Sequence, residues 1–134
     1  MAEHTVVKEQ LTDAMVDAGA ALVGKLDEMG LPLTAAFWLF ELEVNEWSLV
    51  LASPDVATRG PLEVYGIIQQ AIDRLGARAV AAPLSSVTVK ESDADLVRRL
   101  RTTLKTVAGV KRIRFSRNVA DGHFIEDALI YRVT

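Results

Sequence analysis

The chain contains no cysteine, so it has neither a disulfide framework nor a thiolate metal site. It also lacks a long apolar run. Its longest uncharged stretch, from Met29 to Phe40, falls short of the roughly 20 residues a membrane helix needs and is broken by Gly30 and Pro32. No basic start followed by an apolar run opens the chain, and the expected location is cytoplasmic. The eight glycines never fall at the spacings of a dinucleotide-binding or P-loop phosphate cradle. Histidine is scarce too: His4 and His123 are the only two. A metal site would have to lean on carboxylates, with Asp121 beside His123 as one start, and the plainer role for that pair is a hairpin turn.

Against these absences stands one concentration of charge. Between Arg98 and Arg117 lie eight basic residues and no acid, although the protein carries a net charge of -3. Residues 1–55 show the reverse imbalance, ten acids against Lys8 and Lys25. Such asymmetry bears on partners and association rather than on fold. A length of 134 residues with half of them apolar is enough for one domain with its own core.

The hydrophobic pattern predicts the elements in turn. Val7, Leu11, Met15, Ala18, Leu22, Leu26 and Met29 recur at steps of three and four, the spacing of a helix over residues 5–29 that Gly30 closes. Its small residues Ala18, Gly19 and Ala21 suit close packing across the protein's own sheet, the preferred expectation, or an oligomer contact. Residues 35–52 alternate as two strands joined near Asn45, and they hold four of the six Phe and Trp residues. A loop then runs to Gly60. Pro61 opens a helix with Leu62, Tyr65, Ile68, Ile72 and Leu75 on its stripe, and Gly76 ends it. A strand follows over residues 85–90. Next comes a basic helix from a Ser92–Asp95 capping box to Gly109, burying Leu96, Val97, Leu100, Leu104 and Val107.

The last hairpin turns at Asp121-Gly122, the pair favoured for a type I′ turn, so that facing residues sum to 243 in number. One side of that ribbon then carries the pairs Ile113–Ile130, Phe115–Ala128, Arg117–Glu126 and Val119–Phe124, and is expected to face the core. The other carries Val110–Val133, Arg112–Tyr131, Arg114–Leu129 and Ser116–Asp127, with Arg112 over the Tyr131 ring. The basic helix and the ribbon's reverse face would thus split the cations into two patches.

The expected fold is α+β: a single domain spanning residues 1–134, with residues 1–4 as a frayed terminus. The element order is α-β-β-α-β-α-β-β, giving a five-stranded mixed sheet with helices covering at least one face. The core is well specified and catalytic residues are not. The preferred expectation is therefore a non-enzymatic binding or regulatory module that self-associates or docks a protein partner, with no cofactor, metal or membrane attachment. The candidate anion- or partner-binding residues are Arg98, Arg99, Arg101, Lys105, Arg112, Arg114 and Arg117. One alternative is binding of nucleic acid or a phosphate ligand through the same stretch. Another is a small hydrolase using Asp55, Glu91 or His123 with Arg59 nearby in sequence; a serine nucleophile, Ser53, Ser85 or Ser86, would have only His123 as its histidine base. Asp55 after a hairpin, with Thr88-Val89-Lys90 and Glu91 on a later strand, resembles the acid and acid-x-lysine pattern of metal-dependent nucleases. It departs from that pattern at Thr88, where a carboxylate would bind the metal.

Overall fold

The structure, a computed structural model, describes residues 7–134. His4 and the frayed terminus expected over 1–4 lie outside the described residues. Among the described residues are four α-helices, α1 (Asp13–Glu28), α2 (Asp55–Arg59), α3 (Pro61–Leu75) and α4 (Asp95–Thr103), and five strands. The strands are β1 (Ala35–Glu41), β2 (Glu46–Ser53), β3 (Val87–Glu91), β4 (Ile113–Ala120) and β5 (His123–Val133), in the sheet order β3-β2-β1-β5-β4. Among the described residues only β2 and β3 run parallel, joined through α2 and α3; the other pairings are antiparallel. This is the expected α+β domain with a mixed sheet, and α2 is an addition where a loop was predicted.

Alternation along β1 divides the core. Ala36, Trp38 and Phe40 join Leu129 and Tyr131 of β5 beneath α1 and α3, while Ala35, Phe37, Ala128 and Ile130 pack with Val97 and Leu100 of α4 on the opposite face. Helices therefore cover both faces. α1 comes unusually close to the sheet. At Gly19 an added Cβ would collide with the Tyr131 hydroxyl and stand 2.7 Å from Trp38 Nε1. That indole donates to Tyr131 Oη at 2.9 Å, and the phenol donates on to the carbonyl of Val16 at 2.6 Å. Burial pushes the Tyr131 phenol well above its ordinary range, so it stays a donor. A second tie is Arg132, whose side chain is 7% exposed. It grips Asp27 of α1 with two bonds of 2.9 and 2.7 Å and donates to the carbonyls of Leu33 and Gly109.

Several local expectations are corrected. α1 begins at Asp13, with Thr12 Oγ1 accepting from the Met15 amide at 3.1 Å, so Val7 to Leu11 form a non-helical arm. On α3 the buried stripe is Val64, Ile68, Ala71 and Leu75, while Leu62 is exposed. α4 ends at Thr103 because Leu104 is extended and the next residues are tied to β5. Thr106 N–H donates to Val133 O at 2.6 Å and Lys111 N–H to Tyr131 O at 2.8 Å. Val107 is consequently exposed rather than buried. No side chain caps α4; the Ser92 hydroxyl instead accepts from Thr34.

The final hairpin turns at Asp121-Gly122, with φ of 46° and 80°, in the expected register. Ile113–Ile130, Phe115–Ala128, Arg114–Leu129 and Ser116–Asp127 all face one another. The expected sides hold only as far as Arg117. That residue has φ 45° and drops out of the ladder; beyond it Ala120 and Ile125 join the α4-side core, while Val119 and Phe124 are exposed. Val110 and Arg112 precede β4, and Arg112 pairs with Asp17 at 3.0 Å instead of lying over Tyr131.

Candidate functional site

The residues expected to bind anions are distributed over the molecule, and the six arginines among them are already engaged. On α4, Arg98 and Arg99 pair with Asp95 at 3.2 and 2.8 Å; Arg99 also donates to the Asp121 carbonyl, and Arg101 to the carbonyls of Thr134 and Ser92. On the α1 side, Arg112 holds Asp17 and Arg114 holds Asp127. Arg117, at the kink, stands 3.5 Å from Glu126. Lys105 and Lys111 have no ion pair among the described residues. They flank a short surface loop, held to β5 through Thr106, Gly109 and Lys111, in which Val107 and Val110 are 69% and 39% exposed.

The hydrolase candidates do not converge. Asp55 follows the end of β2 and Glu91 ends the parallel β3, so these two share one end of the sheet. β5 is antiparallel to β1, and so is β2. His123, at the start of β5, therefore lies at the opposite end from Asp55. Asp55 pairs with Arg59 at 3.5 Å, Ser53 Oγ accepts from the Asp55 amide, and Ser86 Oγ donates to Pro83 O. Among the described residues no three His, Asp or Glu side chains come together.

Two features were not anticipated. The first is a cleft of about 410 Å³ between the β1–β2 and β4–β5 turns, with Leu42, Val44 and Phe124 exposed along it. Glu41, Glu43 and Glu126 rim it. Neither Glu41 nor Glu43 has an ion pair among the described residues. Phe124 was expected on the core side and lines this cleft instead, beyond the break in the ladder at Arg117, and no sequence pattern announces a positive φ at an arginine.

The second is a polar cluster on the α1 side of the sheet, centred on Asp127, which is 3% exposed. Its carboxylate accepts from Arg114 Nε and Nη2 at 2.6 and 2.5 Å, Ser116 Oγ at 2.5 Å and Lys8 Nζ at 2.6 Å. Burial alone would raise this carboxyl. The bonds from Arg114, Lys8 and Ser116 outweigh that and hold it well below the ordinary carboxylate range. Lys8 Nζ also lies 4.8 Å from the centre of the Phe40 ring and 5.5 Å from that of Trp47. The facing of Ser116 and Asp127 was legible in the sequence, while Lys8 gave no signal because it sat on the predicted helix.

No helix among the described residues is long and apolar enough to cross a membrane. No protein-family model matches the chain, and comparison with curated proteins and with solved structures likewise finds no match.

Proposed function

We propose that this protein is a non-catalytic docking module that self-associates head to tail, the apolar cleft of one copy receiving the Lys105–Lys111 loop of the next. The single observation behind this is the complementarity of the two ends of β5. Beside its first residues lies an apolar cleft rimmed by Glu41, Glu43 and Glu126. Beside its last residues runs a surface loop in which Val107 and Val110 are exposed between Lys105 and Lys111. At about 3.3 Å per residue, the eleven-residue strand holds donor and receiver roughly 30 Å apart, too far to meet within one copy.

Pairing two clefts face to face would set Glu41 and Glu43 against their own counterparts, a like-charge contact that disfavours a symmetric dimer. Cleft with loop matches both sign and polarity. Contacts of this heterologous kind build closed rings or open filaments.

Light scattering tests this directly. The average mass is expected to rise with protein concentration in about 50 mM NaCl and to fall back in about 500 mM NaCl, where exposed charges are screened within a few ångströms. Phe124→Asp and Val107→Asp should each give monomers alone, and a mixture of the two should give 1:1 dimers, since one intact cleft then meets one intact loop. A wild-type protein that stays monomeric at every concentration, or a mixture that does not pair, sinks the proposal. Nucleic-acid binding draws no comparable support, because the candidate arginines are dispersed over both faces of the sheet and each already faces a carboxylate or carbonyl.

A further inference from the structure

We infer that the Asp127–Phe40–Trp47 cluster is a receptor for a lysine-bearing polypeptide segment, occupied in this structure by the chain's own arm and open to a partner's lysine when that arm leaves. The arm is held in the manner of a bound peptide. The side-chain amide of Asn45 accepts from the Glu9 amide and donates to the Val7 carbonyl, both at 2.9 Å. Trp47 Nε1 donates to the Glu9 carbonyl at 2.8 Å. Three backbone groups within three residues are thus read by two side chains of the β1–β2 hairpin. Backbone capture with one deep side-chain position is how protein surfaces recognise short segments.

The deep position is built for an alkylammonium group. Phe40 and Trp47 meet at 55° with centroids 5.4 Å apart, and they present ring faces to Lys8 Nζ while Asp127 supplies the counter-charge. An ammonium over aromatic faces gains from the ring quadrupoles, and more so where water is partly excluded. Arg114 and Ser116 already bond the carboxylate, so the charge of Asp127 is compensated without Lys8. The ammonium is a replaceable third donor: its side chain is 43% exposed, whereas that of Asp127 is 4% exposed. Beside it a cleft of about 320 Å³, lined by Lys8, Gln10, Trp47 and Arg114, gives a route for exchange.

A tethered occupant competes at high effective concentration, so a free peptide should bind the native chain poorly and a variant without the ammonium better. The probe is an acetylated, amidated peptide with the sequence of residues 7–11, and the receptor is full-length Lys8→Ala protein. The readout is the Trp47 indole N–H resonance, with the Trp38 indole, buried against Tyr131, reporting an intact fold. A saturable Trp47 shift is expected, at least about tenfold tighter than in wild type, and lost when the peptide's lysine is replaced by alanine. Lys8→Met, which keeps an apolar stem against the rings, should behave alike. If neither variant shows a saturable shift, or if the alanine peptide shifts the resonance equally, the inference fails. Collapse of the Trp38 resonance in both variants overturns it as well, because Lys8 would then be an indispensable part of the fold.

Discussion

Replacing Gly19 with alanine is expected to destabilise the protein by about 2 kcal/mol, the opposite of what a mid-helix glycine normally predicts. In an exposed helix interior, Gly→Ala gains roughly 1 kcal/mol from propensity. At Gly19 the new methyl would occupy space held by the Tyr131 hydroxyl and stand 2.7 Å from the Trp38 indole nitrogen. Both rings are fully buried, so neither can swing into solvent. Either α1 lifts from the sheet, thinning the contacts of Leu22 and Leu26, or the Trp38–Tyr131–Val16 chain of hydrogen bonds breaks. Overpacking of this kind costs about 1–3 kcal/mol, and an orphaned buried neutral donor costs about 1–3 kcal/mol as well. Gly24 on the same helix has nothing within 4 Å of an added Cβ, so Gly24→Ala should stabilise by about 0.5–1 kcal/mol. Urea denaturation of the two variants, with unchanged slopes, should therefore move the midpoints in opposite directions. A gain at both positions would mean that α1 does not rest on Tyr131.

The small-residue segment of α1 was legible because helical spacing and side-chain size are local properties. The Asp121-Gly122 turn was legible for the same reason: both residues adopt positive φ at little cost, and the register follows from the turn. What escaped the sequence was decided by distant partners. Val7 and Leu11 continue the spacing of α1 perfectly well, yet Asn45 and Trp47 draw residues 7–9 away to the hairpin. Leu104 and Val107 likewise continue α4, but Thr106 and Lys111 bond to β5 and pull the chain out of the helix. The three threonines at 102, 103 and 106 are weak helix formers and offered the only local hint. The kink at Arg117 gave none, and beyond the break in the ladder there Phe124 is exposed rather than buried. The cationic stretch was visible as composition, whereas its engagement by Asp17, Asp95, Glu126 and Asp127 depends on tertiary placement.

Asp127→Asn should cost about 2 kcal/mol near neutral pH, and the loss should shrink as the solution is acidified. The native carboxylate accepts from three side chains, two of them cationic, and hydrogen bonds to charged groups contribute about 1.5–3 kcal/mol each where water is excluded. Arg114 and Lys8 are about half exposed, so water takes over part of their hydration in the variant and the net loss stays well below the sum. The pH dependence follows from the depressed acidity of the folded state. An aspartate ordinarily titrates near about 3.9 in an unfolded chain. Above that value both states are ionised and the full contribution of Asp127 is present. Below it the unfolded chain takes up a proton that the folded one still refuses, so the contribution is lost progressively as pH falls towards the folded-state value. The amide variant has no such titration. Glu28, whose acidity is raised by Lys25, titrates in both proteins and cancels in the difference. Denaturant midpoints for wild type and variant should therefore converge below about pH 4 and stand furthest apart at neutrality. A gap that stays constant down the acid limb would mean that Asp127 is held by shape rather than by charge. The lysine receptor would then lose its anionic floor, while the cleft and loop at the two ends of β5 would be unaffected.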